Sequence, residues 1–265
     1  MSNTATNGHI HMTAPRPLER ISEKNIMKID FHSHILPGID DGSKDIEESI
    51  QLLDNMAADG VDLVVATPHF YCTNTTIHKF LERRDNAYEK LKPHLKPEHP
   101  RILLGGEILY HHALVGNEDI EKLTMQGTGF MLLEMPYTKI DEKIIRGVES
   151  MIEDQGLKII VAHIERYLEY TSYKSLCELM DLDVLGQINA ESLIHFKPRH
   201  RCFKLIKDGY VQVMGTDMHR IEREYPSLGE GIAIVEKKFG KECISDMERN
   251  GMAILKDRSY ASIVG

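Results

Sequence analysis

The sequence predicts one α/β domain built as a (β/α) barrel, with parallel strands and a metal site at the mouth formed by their C-terminal ends. Three observations lead there. Short runs rich in Ile, Val and Leu alternate with longer stretches of helical periodicity, the pattern of parallel strands joined by right-handed crossovers. His and carboxylate residues recur just past the ends of those runs, from Asp30-Phe31-His32-Ser33-His34 to Thr216-Asp217-Met218-His219. No Gly-x-Gly-x-x-Gly or Walker loop follows an early run, which weighs against a nucleotide-binding open sheet. All strand ends of a barrel converge on one mouth, whereas those of a doubly wound sheet spread apart, so the recurring ligand-type residues favour the barrel.

The runs are 28–31, 63–67, 102–105, 130–133, 158–162, 185–188 and 211–215. Each is short and apolar throughout, as expected of strands buried on both faces. Between the first two, Ser43 is placed as the cap of a helix whose Ile46, Ile50, Leu53 and Met56 fall at helical spacing, and Gly60 ends it. Residues 141–154 repeat the pattern through Ile144, Ile145, Val148 and Ile152, with Gly156 as the stop. Helices over 227–239 and 241–250 close the chain, the second ended by Gly251.

The chain has 265 residues and a formal net charge of −9, enough length for a barrel with a large core and the wrong sign for a nucleic-acid or anionic-membrane partner. Residues 1–26 are polar and aperiodic and are expected to be a disordered leader or cloning remnant, leaving 27–265 as the single domain. His9 and His11 in that leader have no strand before them and lack the context of a ligand pair. The cysteines, Cys72, Cys177, Cys202 and Cys243, are scattered without a CxxC pair, which predicts reduced thiols and a cytoplasmic protein.

The chemistry lies at the strand ends. The first run supplies His32 and His34, two apart and so on one side of an extended segment, followed by a turn with Asp40 and Asp41. The second ends at His69, the third at Glu107, the fourth at Glu134, the fifth at His163-Ile164-Glu165-Arg166, and the seventh at Asp217 and His219; the sixth ends in Asn189 and offers no ligand. So many titratable groups at buried strand ends would be costly without cations. Imidazole with carboxylate and no thiolate suits Zn, Fe or Mn.

Asp-Phe-His-Ser-His-Ile-Leu-Pro-Gly-Ile-Asp-Asp-Gly and Ala-His-Ile-Glu-Arg-Tyr resemble the PHP (polymerase and histidinol phosphatase) superfamily, and within it the bacterial protein-tyrosine phosphatases of capsule and exopolysaccharide operons. The resemblance runs from about residue 27 to 238. It implies a distorted seven-stranded (β/α) barrel with three divalent ions: one at His32, His34, Glu107 and Asp217, a second at Glu107, Glu134 and His163, and a third at Asp41, His69 and His219. Asp41 stands where several relatives have His, and the adjacent Asp40 is the alternative. The implied reaction is hydrolysis of phosphotyrosine by a metal-bridging hydroxide, without a phosphoenzyme. The implied partner is the phosphotyrosine tail of a bacterial tyrosine kinase, with neither nucleic acid nor membrane insertion. Three divalent cations would outweigh the four carboxylates even with one hydroxide between them, leaving a locally cationic pocket in an acidic protein.

Arginine suits the remaining phosphate oxygens because its fork binds them in pairs. Arg166 matches the family motif. A second is expected after the Asp-x-His, where the loop differs from the usual one; Arg223 is preferred over Arg220. Cys243 to Arg249 forms a Cys-x5-Arg string, but it has no glycine, contains Asp246 and Glu248, and fits a helix rather than a phosphate loop. His111 and His112 are read as rim residues, and Tyr71, Tyr137 and Phe70 as candidates to line the mouth. The competing functions are a PHP phosphoesterase of a small metabolite such as histidinol phosphate, and a non-catalytic metal-binding module. Amidohydrolase chemistry is more distant, for want of a carboxylated-lysine candidate.

Overall fold

We describe the chain from a computed structural model covering residues 27–221 and 227–264. The leader, with His9 and His11, and Arg223 lie outside the described residues. In chain order the elements are β1 (Ile29–Ser33), α1 (Ile46–Ala58), β2 (Leu63–Ala66), β3 (His69–Phe70), α2 (Ile77–Leu91), β4 (Arg101–Leu104), β5 (Glu107–Leu109), β6 (Phe130–Glu134), α3 (Glu142–Glu153), β7 (Lys158–Val161), α4 (Tyr173–Met180), β8 (Val184–Asn189), α5 (Ala190–Ile194), α6 (Phe196–Lys207), β9 (Val213–Gly215), α7 (Leu228–Phe239), α8 (Lys241–Leu255) and α9 (Ala261–Val264).

All the strand pairs are parallel. They run β1-β2-β4 in one sheet and β3-β5-β6-β7-β8-β9 in the other. β2 and β3 are two halves of one course interrupted at Thr67-Pro68, and β4 and β5 are halves of another interrupted at Gly105-Gly106. Among the described residues, nine strands with two such pairs leave seven courses. The last course meets the first: Ser33 bridges Met218, the Asp217 N–H donates to the His32 carbonyl at 2.7 Å, and the His34 N–H to the Met218 carbonyl at 2.8 Å. The result is the curled, distorted parallel barrel the sequence predicts.

Strand side chains alternate between two apolar clusters, as period two requires. Leu63 and Val65, Phe130 and Leu132, and Ile160 join Ile254 and Leu255 of α8 in the smaller cluster. Val64 and Ala66, Met131 and Leu133, and Ile159 and Val161 join the helices in the larger. Glu134 continues the face of Phe130 and Leu132, so its carboxylate stands at the end of an apolar column.

Two helix ends differ from expectation. The N-cap of α1 is Asp45, whose side chain accepts from the Glu48 N–H; Ser43 instead pairs its hydroxyl with Ser49 and the Asp45 carbonyl. Asp wins because it sits in extended geometry one residue before the first helical turn. Gly251 does not end α8, which continues to Leu255. A Cβ there would lie 3.0 Å from Phe31 Cε2, so this glycine allows the helix to approach β1 closely. Among the described residues no helix is long and apolar enough to cross a membrane.

Candidate metal centre

Every described strand-end ligand candidate reaches one region. His32 and His34 are fully buried at the end of β1, with their Nε2 atoms 3.2 Å apart. His32 Nε2 lies 3.3 Å from both Glu107 Oε2 and Asp217 Oδ1, and His34 Nε2 lies 3.5 and 3.4 Å from the same two atoms. Glu107 also reaches His163 Nε2 through Oε1 at 2.9 Å and His69 Nδ1 through Oε2 at 2.9 Å. Glu134 Oε1 is 3.7 Å from His163 Nε2. Asp41 Oδ1 is 3.4 Å from His69 Nε2 and 3.5 Å from His219 Nε2.

Four groups have ligand atoms within 4.8 Å of one another: His34, Asp41, His69 and His219; His32, His34 and Glu107; His32, His163 and Asp217; and His69, Glu107 and Glu134. The residues are those inferred from the motifs, but the partition differs in detail. His34 also joins the Asp41 group, and His69 also joins the Glu134 group, because Glu107 lies at the centre and touches four imidazoles.

The donor set fits divalent cations. Buried Glu107 Oε2 is crowded by three imidazoles, His69 Nδ1 at 2.9 Å among them, yet neither it nor His69 Nδ1 nor His163 Nδ1 makes a well-aligned hydrogen bond, a state that a cation relieves on the carboxylate side. Three imidazoles have Nδ1 engaged elsewhere, which turns Nε2 toward the cluster. His34 Nδ1 donates to Asp40 Oδ2 at 2.8 Å, and His219 Nδ1 to the Asp217 carbonyl at 2.8 Å. His32 Nδ1 faces Gln187 Oε1 at 3.3 Å. That Gln187 atom also receives the His163 backbone N–H at 2.8 Å, so it must be oxygen and His32 Nδ1 must carry the proton. Such outer partners fix the tautomer that binds metal. Asp40 therefore orients His34, and Asp41 is the neighbour that enters the cluster.

Imidazoles and carboxylates of the cluster favour each other's charged forms. Burial alone would push His32 and His34 down, yet the carboxylates outweigh it: Glu107 and Asp217 raise His32, and Asp217, Asp40 and Glu107 raise His34 further. Burial opposes ionisation of Glu107 and Asp217, but His32 and its neighbours hold both well below the usual carboxylate range. Glu134 is pushed up by burial and by Glu107. Burial and His34 push His219 down. Two of the residues are conformationally strained: His163 at φ 31° and Asp217 at φ 54° sit in the left-handed region without being glycine. Each costs roughly 1–3 kcal/mol, sustained only where the surroundings over-determine it; here the Gln187 and His32 hydrogen bonds do so.

The centre opens into a cavity of about 310 Å³ whose lining includes Tyr71, Tyr137, Arg166 and Arg220. Arg166 donates to Asp217 Oδ2 at 2.7 Å, and Asn189 Nδ2 donates to the same oxygen at 2.9 Å. Arg220 Nε bonds the Asp41 carbonyl at 3.1 Å. Tyr71 stacks on His69 at 5.3 Å and Tyr137 on His163 at 6.1 Å. Burial and the carboxylates push the Tyr71 hydroxyl up to about 12. Phe70 is buried in the core and packs on Phe80 instead.

His111 and His112 do not line the cavity: His111 Nδ1 accepts the Ala113 N–H, and His112 faces the Tyr110 hydroxyl. Cys243 lies on α8, where burial pushes its thiol up, and Arg249 pairs with Asp246 on the same helix. The string is a helix face, not an anion loop.

Sequence reasoning missed the residues beneath the ligands. Fully buried Asp30 accepts from Thr216 Oγ1 at 2.6 Å, the Thr216 N–H at 2.9 Å and the His32 N–H at 3.1 Å. Gln187 donates through Nε2 to the Ile188 carbonyl and Asn189 Oδ1 at 2.7 and 2.8 Å. The available signal was a polar side chain inside an otherwise apolar strand.

The sequence profile described as "Capsular polysaccharide synthesis, CpsB/CapC" matches residues 28–256. The chain is 30% identical over 245 residues to Tyrosine-protein phosphatase CpsB of Streptococcus agalactiae serotype III, covering 86% of this chain and 98% of that protein. It is 27% identical over 243 residues to Tyrosine-protein phosphatase YwqE of Bacillus subtilis, covering 87% and 92%. Among solved structures, the fold matches one described with "YwqE from Bacillus subtilis and CpsB from Streptococcus pneumoniae, unique metal-dependent tyrosine phosphatases" at TM-score 0.74 and 22% identity, over 87% of this chain and 95% of that one. A Xaa-Pro dipeptidase shares the fold more loosely, at TM-score 0.52 and 11% identity over 88% of this chain and 77% of that one. Profile, sequence and fold agree with the strand-end motifs, and the chain belongs to the CpsB/CapC family of capsular polysaccharide synthesis.

Proposed function

We propose that this chain is a metal-dependent protein-tyrosine phosphatase, a phosphoric monoester hydrolase, that acts in the cytoplasm on the phosphotyrosine tail of a bacterial tyrosine kinase controlling polysaccharide synthesis. The observation that carries the reading is the convergence of imidazole nitrogens on Glu107, whose buried Oε2 faces three of them without a well-aligned hydrogen bond. Relatives spanning most of the chain are named tyrosine phosphatases.

In this reading His32, His34, Asp41, His69, Glu107, Glu134, His163, Asp217 and His219 hold up to three divalent ions, of Mn, Fe or Zn. When bound, such ions lower the pKa of water and neutralise charge on phosphoryl oxygens. The chain's own residues do the rest. Arg166 already lies in the cavity on Asp217 Oδ2 and offers its remaining N–H groups to phosphate. Tyr71 and Tyr137 present ring faces at the entrance, which suits an aromatic ester. The departing phenolate, with a parent pKa near 10, needs little acid assistance. Arg223 or Arg220 supplies the second phosphate contact. The free cysteines suit a reducing compartment.

The test is hydrolysis of a phosphotyrosine peptide beside histidinol phosphate by metal-stripped protein re-supplied with Mn, Fe or Zn. Peptide turnover that is lost in His32→Ala and kept in Cys243→Ser is the expected result. Preference for histidinol phosphate would move the substrate to small metabolites, and no turnover with any metal would overturn the enzyme.

A further inference from the structure

α6 carries Lys197, Arg199, Arg201, Lys204 and Lys207 and no acidic residue, within a chain of net charge −9. Helical spacing places Phe196, His200, Lys204 and Lys207 on the side opposite buried Cys202 and Leu205. Phe196 is 72% exposed. Part of this charge is spent locally: Arg199 holds the Leu193 and Ile194 carbonyls, Arg201 pairs with Glu169 at 2.7 Å, and Lys204 pairs with Asp208 at 2.7 Å. Lys197, Lys207 and, on α7, Lys238 form no ion pair among the described residues.

Lys207 and Lys238 border a groove floored by two phenylalanines and also lined by the Lys204–Asp208 pair. Phe203 of α6 meets Phe239 of α7 edge-on at 5.4 Å, and Lys238 Nζ lies 5.9 Å from the Phe203 ring. The hollow beside them measures about 490 Å³. The other end of α6 adjoins the metal cavity: Pro198 and Arg201 line a second hollow of about 270 Å³ that shares Tyr137, Arg166 and Glu191 with the cavity. That hollow also holds Glu165, Glu169 and Glu191, so the unpaired positive charge lies outside it, at Lys197 and Lys207 of α6 and at Lys238 of α7.

We propose that this face docks an acidic polypeptide segment flanking the phosphotyrosine of the substrate protein. The inference rests on the phosphatase reading. An enzyme of net charge −9 repels an acidic phosphorylated chain at long range, and the basic α6, whose Pro198 and Arg201 line the hollow next to the cavity, supplies the opposite sign on one flank of the mouth. The mixture of free lysines with half-buried Phe203 and Phe239 suits a peptide that alternates acidic and apolar side chains. An anionic membrane fits less well, because interfacial helices need a continuous exposed apolar face and this face exposes only Phe196 fully.

The test is a triple variant, Lys197→Glu, Lys207→Glu and Lys238→Glu, none of which touches the metal centre. The expected result is a rise of about tenfold in KM for a phosphotyrosine peptide flanked by Asp and Glu, the sum of three weak exposed contacts reversed in sign. kcat for that peptide is unchanged, and p-nitrophenyl phosphate and an alanine-flanked phosphopeptide stay within about twofold. Polarisation binding of the same acidic peptide with unphosphorylated tyrosine reads docking without turnover, so a failure of the phosphatase reading is seen separately from a failure of docking. Equal binding of this probe by wild type and variant would overturn the proposal. So would equal losses on acidic and alanine-flanked peptides, or charge-dependent sedimentation with phosphatidylserine vesicles without any peptide preference.

Discussion

Gln187→Leu tests the claim that a strand residue remote from substrate sets the metal site. The side chain is fully buried. Its oxygen receives the His163 N–H and the His32 Nδ1 proton, and its nitrogen bonds the Ile188 carbonyl and Asn189 Oδ1. Leucine matches the volume but leaves the His163 N–H and Asn189 Oδ1 without these partners. At roughly 1–3 kcal/mol per orphaned buried group, partly offset by the added apolar surface, the expected loss is about 3 kcal/mol. For a chain of this length that is a fall of roughly 6–12 °C in Tm of the metal-free protein. His32 also loses the acceptor that keeps its proton on Nδ1, so Nε2 is no longer fixed as the nitrogen that offers a lone pair to a cation. Metal affinity should fall about 10- to 100-fold. The assay pairs calorimetric Mn titration with thermal unfolding of the stripped protein. A lower Tm with unchanged affinity would refute the tautomer argument, and no change in either would refute the hydrogen-bond assignment.

Arg166→Lys keeps the charge and loses the fork; kcat/KM on a phosphotyrosine peptide should drop about 100-fold while metal content by elemental analysis stays constant. Asp30, raised by burial to about 6 despite its Thr216 and His32 hydrogen bonds, binds its proton more tightly folded than unfolded. Its contribution to stability is therefore full below about pH 4 and lost as pH rises through about 6, by roughly 3 kcal/mol. Denaturant midpoints of the metal-free protein should fall over that window, and Asp30→Asn should flatten the fall. Gly251→Val places its side chain against Phe31 and Ile29 and should cost about 1–3 kcal/mol by urea unfolding; an unchanged midpoint would show that α8 can shift away from β1.

The alternation of apolar runs and helical stretches, and the ligand-type residues that end the runs, are local patterns, so the barrel and its candidate ligands were legible in the chain alone. The helices were less legible. α2, IHKFLERRDNAYEKL, is so charged that its buried stripe is thin, and α6 contains a proline and an unbroken basic composition. The end of α8 was misjudged because a glycine reads as a stop, whereas here it permits close packing on Phe31.

What the sequence by itself determined was the kind of chemistry: side chains at strand ends must converge if the strands close, and imidazole with carboxylate selects a class of metal. Only the tertiary structure decided how the candidate ligands are shared, since Glu107 can touch four imidazoles only when three other courses bring them within bonding distance. The same holds for Gln187, Asp30, Thr216 and Asn189. Their roles depend on which backbone N–H or ring nitrogen a distant strand places opposite them, and no local spacing encodes that.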